Sequence, residues 1–276
     1  MQAPNADSTV NAIAINIIAS ILYAAAVYAG ERLYVRTAHK NPSYRRLRLL
    51  AFVALWMLTN VGLFELVSDW WLVLLITSIV LGVVVFKELN QFWQIGLVGA
   101  DREVKSGIDY DAALGMCKHS FHFLGIGAAK LTQNQKAFRD AIDRCNRTEP
   151  VRLLLSRPDA PELGRFAKMA GKDVEAYQST VRESLRFIAS LRNREAKNIS
   201  VRFYQQFPAF RLMFIDGTIC LMSYYVMGKG DGSNLPQLHI IKTPGSQDIE
   251  ALYFGFTEYF EKMWNDSKDW DLQEFL

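Results

Sequence analysis

The sequence predicts an α-helical transmembrane module of three spans followed by an α/β domain with a mixed sheet. Three observations carry that prediction. The chain has 276 residues, half of them apolar, with a mean hydropathy near zero. Yet no Lys or Arg precedes Arg32, and three long uncharged apolar runs fall within the first 86 residues. Beyond Phe86 the pattern changes to short apolar runs alternating with amphipathic stretches, the arrangement that lays helices on a sheet. The near-zero average therefore joins two different compositions.

Residues 10–30 form an uncharged run of 21, which at about 1.5 Å per residue spans the roughly 30 Å hydrocarbon core. Runs 49–64 and 70–86 are near the lower limit of about 17 residues, and each still reads as a span. Between them Glu65 and Asp69 bound a short polar turn, and Trp70 and Trp71 suit interfacial anchors, so the two runs form a helical hairpin. The spans are drawn at 10–30, 49–65 and 70–86, the module at 1–86, a linker at 87–104 and the α/β domain at 105–276. The loop between the first two spans carries Arg32, Arg36, Lys40, Arg45, Arg46 and Arg48 against Glu31 alone. Positive-inside logic puts that loop in the cytoplasm, the N-terminus outside and everything after the third span in the cytoplasm. A cleaved secretory signal is the rival reading of the first run, but that run lacks a basic n-region. Asn11 and Asn16 within it suit interhelical hydrogen bonds.

In the second part, residues 109–118 read as a helix and 121–126 as a strand entering Gly125-Ile126-Gly127. Residues 133–145 place Phe138, Ile142 and Cys145 on one helical face, and 151–155 follow as a strand, which completes a β-α-β unit. Residues 161–194 read as two helices broken near Gly171. Ile199, Val201 and Phe203 alternate as a strand. Residues 210–216 and 218–225 form two strands about a tight turn at Asp216-Gly217, and 238–241 is the last strand. A final amphipathic helix, capped by Ser246, carries Ile249, Leu252, Phe256, Phe260 and Met263 on its apolar side. Helices are expected on both faces of the sheet.

Charge and cysteine usage exclude several classes of function. The first 86 residues carry six Lys or Arg and four Asp or Glu, while the rest carries 25 and 24. The basic excess thus records the orienting loop, and no nucleic acid polymer is expected as a partner. Three cysteines cannot pair fully; Cys117, Cys145 and Cys220 all fall in the cytoplasmic part and read as small core residues.

Residues 208–217, an apolar strand running into Asp216-Gly217, and the following Ser223-Tyr224-Tyr225 carry the most informative pattern. The segment resembles the signature of the phospholipase D superfamily, His-x-Lys-x4-Asp followed by Gly-Ser. On this chain the His position holds Ala209, the Lys position Arg211, the Asp position Asp216 and the Gly-Ser pair Ser223-Tyr224. The resemblance covers residues 105–265 and implies a phospholipase D-like half-unit, which a homodimer would complete. It also implies loss of the reaction, because Ala209 has no nucleophile, while Arg211 keeps a bidentate fork for phosphate. The same residues also read as a plain hairpin in which Asp216-Gly217 is turn chemistry.

The expected ligand-binding residues are Arg211, Asp216, Tyr224, Arg157 and Lys130, with no catalytic residue, no metal and no cofactor. Lys130 follows Gly125-x-Gly127 at a strand-to-helix loop, where backbone N–H groups can hold phosphate, although a plain loop fits as well. Arg157 sits at the C-terminal end of a strand, the edge where open α/β sheets bind ligands, and reads equally as a solvated loop residue. Cys117, His119 and His122 lack standard zinc spacing. The architecture is similar to bacterial antiphage membrane effectors. That resemblance implies an inner-membrane, non-enzymatic sensor of a nucleotide second messenger, working as a homodimer or higher homo-oligomer. Two alternatives remain. One is a membrane-bound phosphodiesterase or phospholipid-modifying enzyme using, for instance, His119 or His122 as base; the other is an adaptor without a ligand pocket that docks partners on aromatics such as Tyr253, Tyr259 and Trp264.

Overall fold

The computed structural model describes residues 89–145, 150–226, 232–243, 251–271 and 274, with isolated positions Leu50, Ala54, Met57, Ser78, Gly82 and Phe86. The chain divides into two compact units, residues 1–92 and 93–276. In the first unit the expected spans 10–30, 49–65 and 70–86 lie outside the described residues, those six positions excepted, and all six are helical. A Cβ added at Gly82 would meet Met57 Cε at 3.7 Å, so the second and third apolar runs are in van der Waals reach there. Among the described residues no helix is long and apolar enough to cross a membrane.

The second unit is a mixed α/β domain. Its elements are β1 (Leu97–Asp101), α1 (Tyr110–Met116), β2 (Phe121–Leu124), α2 (Ala129–Thr132), α3 (Gln135–Cys145), β3 (Val151–Leu155), α4 (Pro161–Met169), α5 (Val174–Arg194) and β4 (Ile199–Phe203). There follow β5 (Phe210–Ile215), β6 (Ile219–Tyr224), β7 (Gln237–Ile241), α6 (Leu252–Asn265) and β8 (Lys268–Asp269). The eight strands form one sheet in the order β1-β7-β6-β5-β2-β3-β4-β8. Strands β2, β3 and β4 are parallel, joined by helical crossovers; all other neighbours are antiparallel.

Period-two alternation sorts the side chains between two cores. Phe121, Phe123, Leu153, Met213 and Leu221 point to one face, where helices α1 to α5 bury Leu114, Leu131, Phe138, Leu163 and Leu185 against them. Leu124, Leu154, Leu212, Phe214 and Cys220 point to the other face, covered by Tyr253, Phe260 and Trp264 of α6. The break expected near Gly171 is there, between α4 and α5. Gly171 takes a φ of +66°, and Asp173 caps α5 by accepting a hydrogen bond from the Ala176 backbone N–H.

Several boundaries differ from expectation. The predicted linker contains β1, which pairs with β7 at the sheet edge. The strand at 121–126 ends at Leu124, and the helix over 133–145 starts at Gln135, preceded by the separate short turn α2. The strand at 237–241 is not the last, because β8 adds to β4 after the final helix. Ser246 and Ile249 lie outside the described residues; α6 begins at Leu252 with Ala251 at its N-cap and no side-chain cap. Tyr253 and Trp264 are buried, and the Tyr259 hydroxyl accepts a hydrogen bond from the Ala209 N–H, so these aromatics line a core and offer no docking face.

Candidate functional site

Strands β5, β6, β7 and β1 each place one polar residue in a single row across the sheet. Arg211 stands opposite Ser223, Asp101 opposite Gln237, and the pairing of Met222 with Leu238 brings Ser223 beside Gln237. All four are buried, Arg211 to 4% exposure and Gln237 completely. Polar groups at such depth must be satisfied internally, and most of this row is. Arg211 Nη1 donates to the Tyr110 hydroxyl at 2.7 Å, and Nη2 donates to Gln237 Oε1 at 3.4 Å. Gln237 Nε2 donates to the Ile108 carbonyl at 2.8 Å, while the Ile108 N–H donates to Asp101 Oδ2 at 2.8 Å. Asp101 Oδ2 in turn lies 2.6 Å from Nε2 of the fully buried His239.

The guanidinium of Arg211 is incompletely matched. The Nε of Arg211 is buried with no hydrogen-bond partner, and among the described residues no carboxylate pairs with its guanidinium. The head lies 5.3 Å from the Tyr110 ring centroid, a cation–π contact that offsets only part of the cost of burying a charge.

Arg211 forms part of the wall of a cavity of about 430 Å³, within the roughly 300–1,000 Å³ range of small-molecule sites. The cavity opens beyond the C-terminal end of β2, the edge at which open α/β sheets take ligands. Its apolar wall is aromatic: Phe123, Phe166, Tyr177 and Tyr225, with Tyr110 at the mouth. Burial pushes the Tyr225 hydroxyl well above its ordinary pKa, so it stays neutral and accepts the Ile126 N–H. Lys130 and Lys172 join Arg211 on the wall, and among the described residues the one acid there, Asp173, already caps α5. Lys172 Nζ sits 5.0 Å from the Tyr177 ring centroid. Gly127 permits the approach of α5, since a Cβ there would lie 2.9 Å from Val181 Cγ2. The glycines of the 125–127 loop thus answer to packing, and the helix after them, α2, has only four residues.

Of the residues expected to bind ligand, the structure brings Arg211 and Lys130 together and separates the other three from them. Asp216 directly follows β5, five positions from Arg211 and roughly 16 Å away at strand rise. Its carboxylate accepts the backbone N–H groups of Lys118, His119 and Ser120 at 2.7–3.1 Å, which fixes the loop entering β2. With φ at +53°, followed by Gly217 at +61°, Asp216 is a turn residue and not a ligand to the Arg211 cavity. Arg157 is held by Asp159 and, at 2.8 Å, by Glu274, and it does not line the cavity. Tyr224 is 43% exposed and does not line it either; its neighbour Tyr225 does.

The histidines considered as bases also lie elsewhere. His122 projects from β2 to the opposite face, stacked on Phe260 at 5.6 Å and bonded to Arg152, whose guanidinium also pairs with Glu261. Burial, with the Arg152 charge, lowers its pKa to about 4. His119 belongs with the Asp216 turn and, like His122, is absent from the cavity wall. Sequence reasoning missed Gln237 and His239. Their signal was two polar residues at i and i+2 of an apolar strand, both on one face.

No family model matches the sequence, and no curated protein matches it. Solved structures similar to this chain include the following three. TrmBL2, described as an archaeal chromatin protein with a novel mode of DNA binding, has a TM-score of 0.40 at 13% identity, over 75% of this chain and 69% of its own. Nuc from Salmonella typhimurium, a phospholipase D family member, has a TM-score of 0.37 at 16% identity, over 58% of this chain and 88% of its own. Phosphatidylserine synthase from Haemophilus influenzae Rd KW20 has a TM-score of 0.43 at 11% identity, over 62% of this chain and 39% of its own.

Proposed function

We propose that the α/β domain is a non-catalytic receptor for a phosphate-bearing small molecule, a nucleotide in the first instance, and that it governs the state of an N-terminal membrane module. Arg211 carries the reading. It is a buried guanidinium without a carboxylate partner among the described residues, with an unsatisfied Nε, in the wall of a cavity that also holds two lysines and an aromatic lining. A phosphate would complete its hydrogen bonding and neutralise its charge, and the aromatic wall suits a flat heterocycle.

The phospholipase D-like half-unit belongs to the same reading. The hairpin of β5 and β6 about Asp216-Gly217 supports it, and Ala209 at the position of the nucleophile argues against a phospho-enzyme. So does the placement of both candidate histidines away from the cavity. An open, cationic cavity around Arg211 also disfavours the adaptor alternative, which called for a closed apolar one. The setting proposed is a bacterial antiphage effector in the inner membrane, a homodimer or higher homo-oligomer. The three apolar runs and the basic loop 31–48 support its topology.

Ligand would act by binding one state of the assembly better than another. The test uses the full chain purified in detergent, with thermal unfolding measured against a panel of nucleotides and inorganic phosphate. At about a hundredfold excess over Kd, a ligand adds about 2.7 kcal/mol, a readily visible rise. The rise is expected to disappear in Lys130→Ala, an exposed site, and in Arg211→Met. No rise with any nucleotide overturns the reading.

A further inference from the structure

The cavity behind Tyr110 is not isolated. A second compartment of about 650 Å³ adjoins it, and the two share Tyr110, Lys130 and Ser233 in their walls. Their linings differ in kind. The inner compartment is aromatic and cationic, as described above. The outer one is lined by the carboxamides of Gln133, Asn134, Gln135 and Asn234, together with Lys105, Asp111 and Asp109, whose carboxylate caps α1. Carboxamides present a donor and an acceptor side by side, the pattern that matches the edge of a nucleobase. Asn134 is already engaged, donating to Asp111 and accepting from the Ala137 N–H, which leaves Gln133, Gln135 and Asn234 to read a ligand.

Building on the receptor reading, we infer that the two compartments form one bipartite site for a dinucleotide, a molecule with two heterocycles joined through phosphodiester. One base enters the aromatic inner compartment, and the phosphate lies at the shared wall. The second base meets the carboxamides outside. The shared wall supplies what the phosphate requires. Lys130 lines both compartments, and the Tyr110 hydroxyl, which accepts a hydrogen bond from Arg211 Nη1 at 2.7 Å, is polarised by that guanidinium as a donor. A mononucleotide would fill only the inner compartment.

The experiment is calorimetric titration of the full chain in detergent with AMP, GMP, CMP and UMP, and with linear and cyclic dinucleotides of the same bases. At least one dinucleotide is expected to bind tenfold or more tightly than its component mononucleotides. The double variant Gln133→Ala, Asn234→Ala is expected to remove that advantage while leaving mononucleotide binding intact; both residues are at the surface, so folding is not at stake. Lys130→Ala is expected to weaken both ligand classes. Mononucleotides binding as tightly as every dinucleotide, or an advantage untouched by the double variant, would overturn the bipartite site and leave the receptor reading standing. Failure of every nucleotide to bind would overturn both.

Discussion

His122 offers a test of the core covered by α6 in which the sign is unambiguous. In the folded chain its imidazole is held neutral, because burial and then the Arg152 charge lower its pKa from 6.5 to about 4, against a weaker opposing pull from Glu261. The folded value lies below the unfolded one, so the unfolded chain takes up the proton first. Stability from this group is therefore whole above about pH 6.5 and is lost as pH falls toward 4. At about 1.4 kcal/mol per pH unit the full loss is about 3 kcal/mol, of which about 2 kcal/mol falls between pH 7 and pH 5. His122→Phe keeps a flat ring against Phe260, which now stacks at an 11° interplanar angle, and removes the titration. Urea unfolding of the full chain in detergent, followed by tryptophan fluorescence at pH 7, 6 and 5, compares the two slopes; the other three histidines are common to both proteins and cancel. The variant is expected to lose about 2 kcal/mol less than the parent across that window. Equal slopes, or a His122 ring proton titrating near 6.5 by NMR, would refute the placement of a neutral imidazole between Arg152 and the α6 aromatics.

Two further outcomes follow from local geometry. Asp216→Ala strips the acceptor from three consecutive backbone N–H groups and puts alanine at a φ of +53°, so it is expected to cost about 1–3 kcal/mol in urea unfolding; a loss below 0.5 kcal/mol would contradict the capping role. Cys117 Sγ lies 2.6 Å from Cys145 Sγ, both fully buried, while Cys220 lies on the other face of the sheet. Diamide, a two-electron thiol oxidant, is expected to join the first pair with loss of two hydrogens, leaving Cys220 as the thiol that alkylates in denaturant. Oxidation that consumes Cys220 instead, seen by mass spectrometry of peptides, would contradict the contact.

How much of this was legible in the sequence depends on the range of the interactions involved. Strands β2 to β7 announce themselves by apolar runs, and the hairpin turn by Asp216-Gly217, because those signals lie within a few residues of each other. Strand β1 was hidden, since Leu97-Val98-Gly99-Ala100-Asp101 carries a glycine and no β-branched run and owes its conformation to pairing with β7, about 140 positions away. Strand β8, two residues long, has no local signal at all. The site divides the same way. Arg211 was found by its place in a motif and Lys130 by its loop. The row from Arg211 to Asp101 draws one residue from each of four strands, and no spacing along the chain records it. Asp216 shows the opposite error: motif logic coupled it to Arg211, whereas the four strand residues between them hold the two too far apart for a shared ligand.

The position of β1 has a mechanical consequence. It is the strand by which the chain enters the domain from residues 1–92, and among the described strands it stands at the rim of the sheet, next to β7 alone. A pull arriving from the N-terminal direction would open its ladder one rung at a time from Leu97, beginning where the register already slips between Leu97 and Gly99. The opening would halt at Asp101, the last rung, which is clamped by His239 and by the Ile108 N–H. The strand is thus a zip with a stop at its inner end, and that stop is wired through Ile108 and Gln237 to the guanidinium of Arg211.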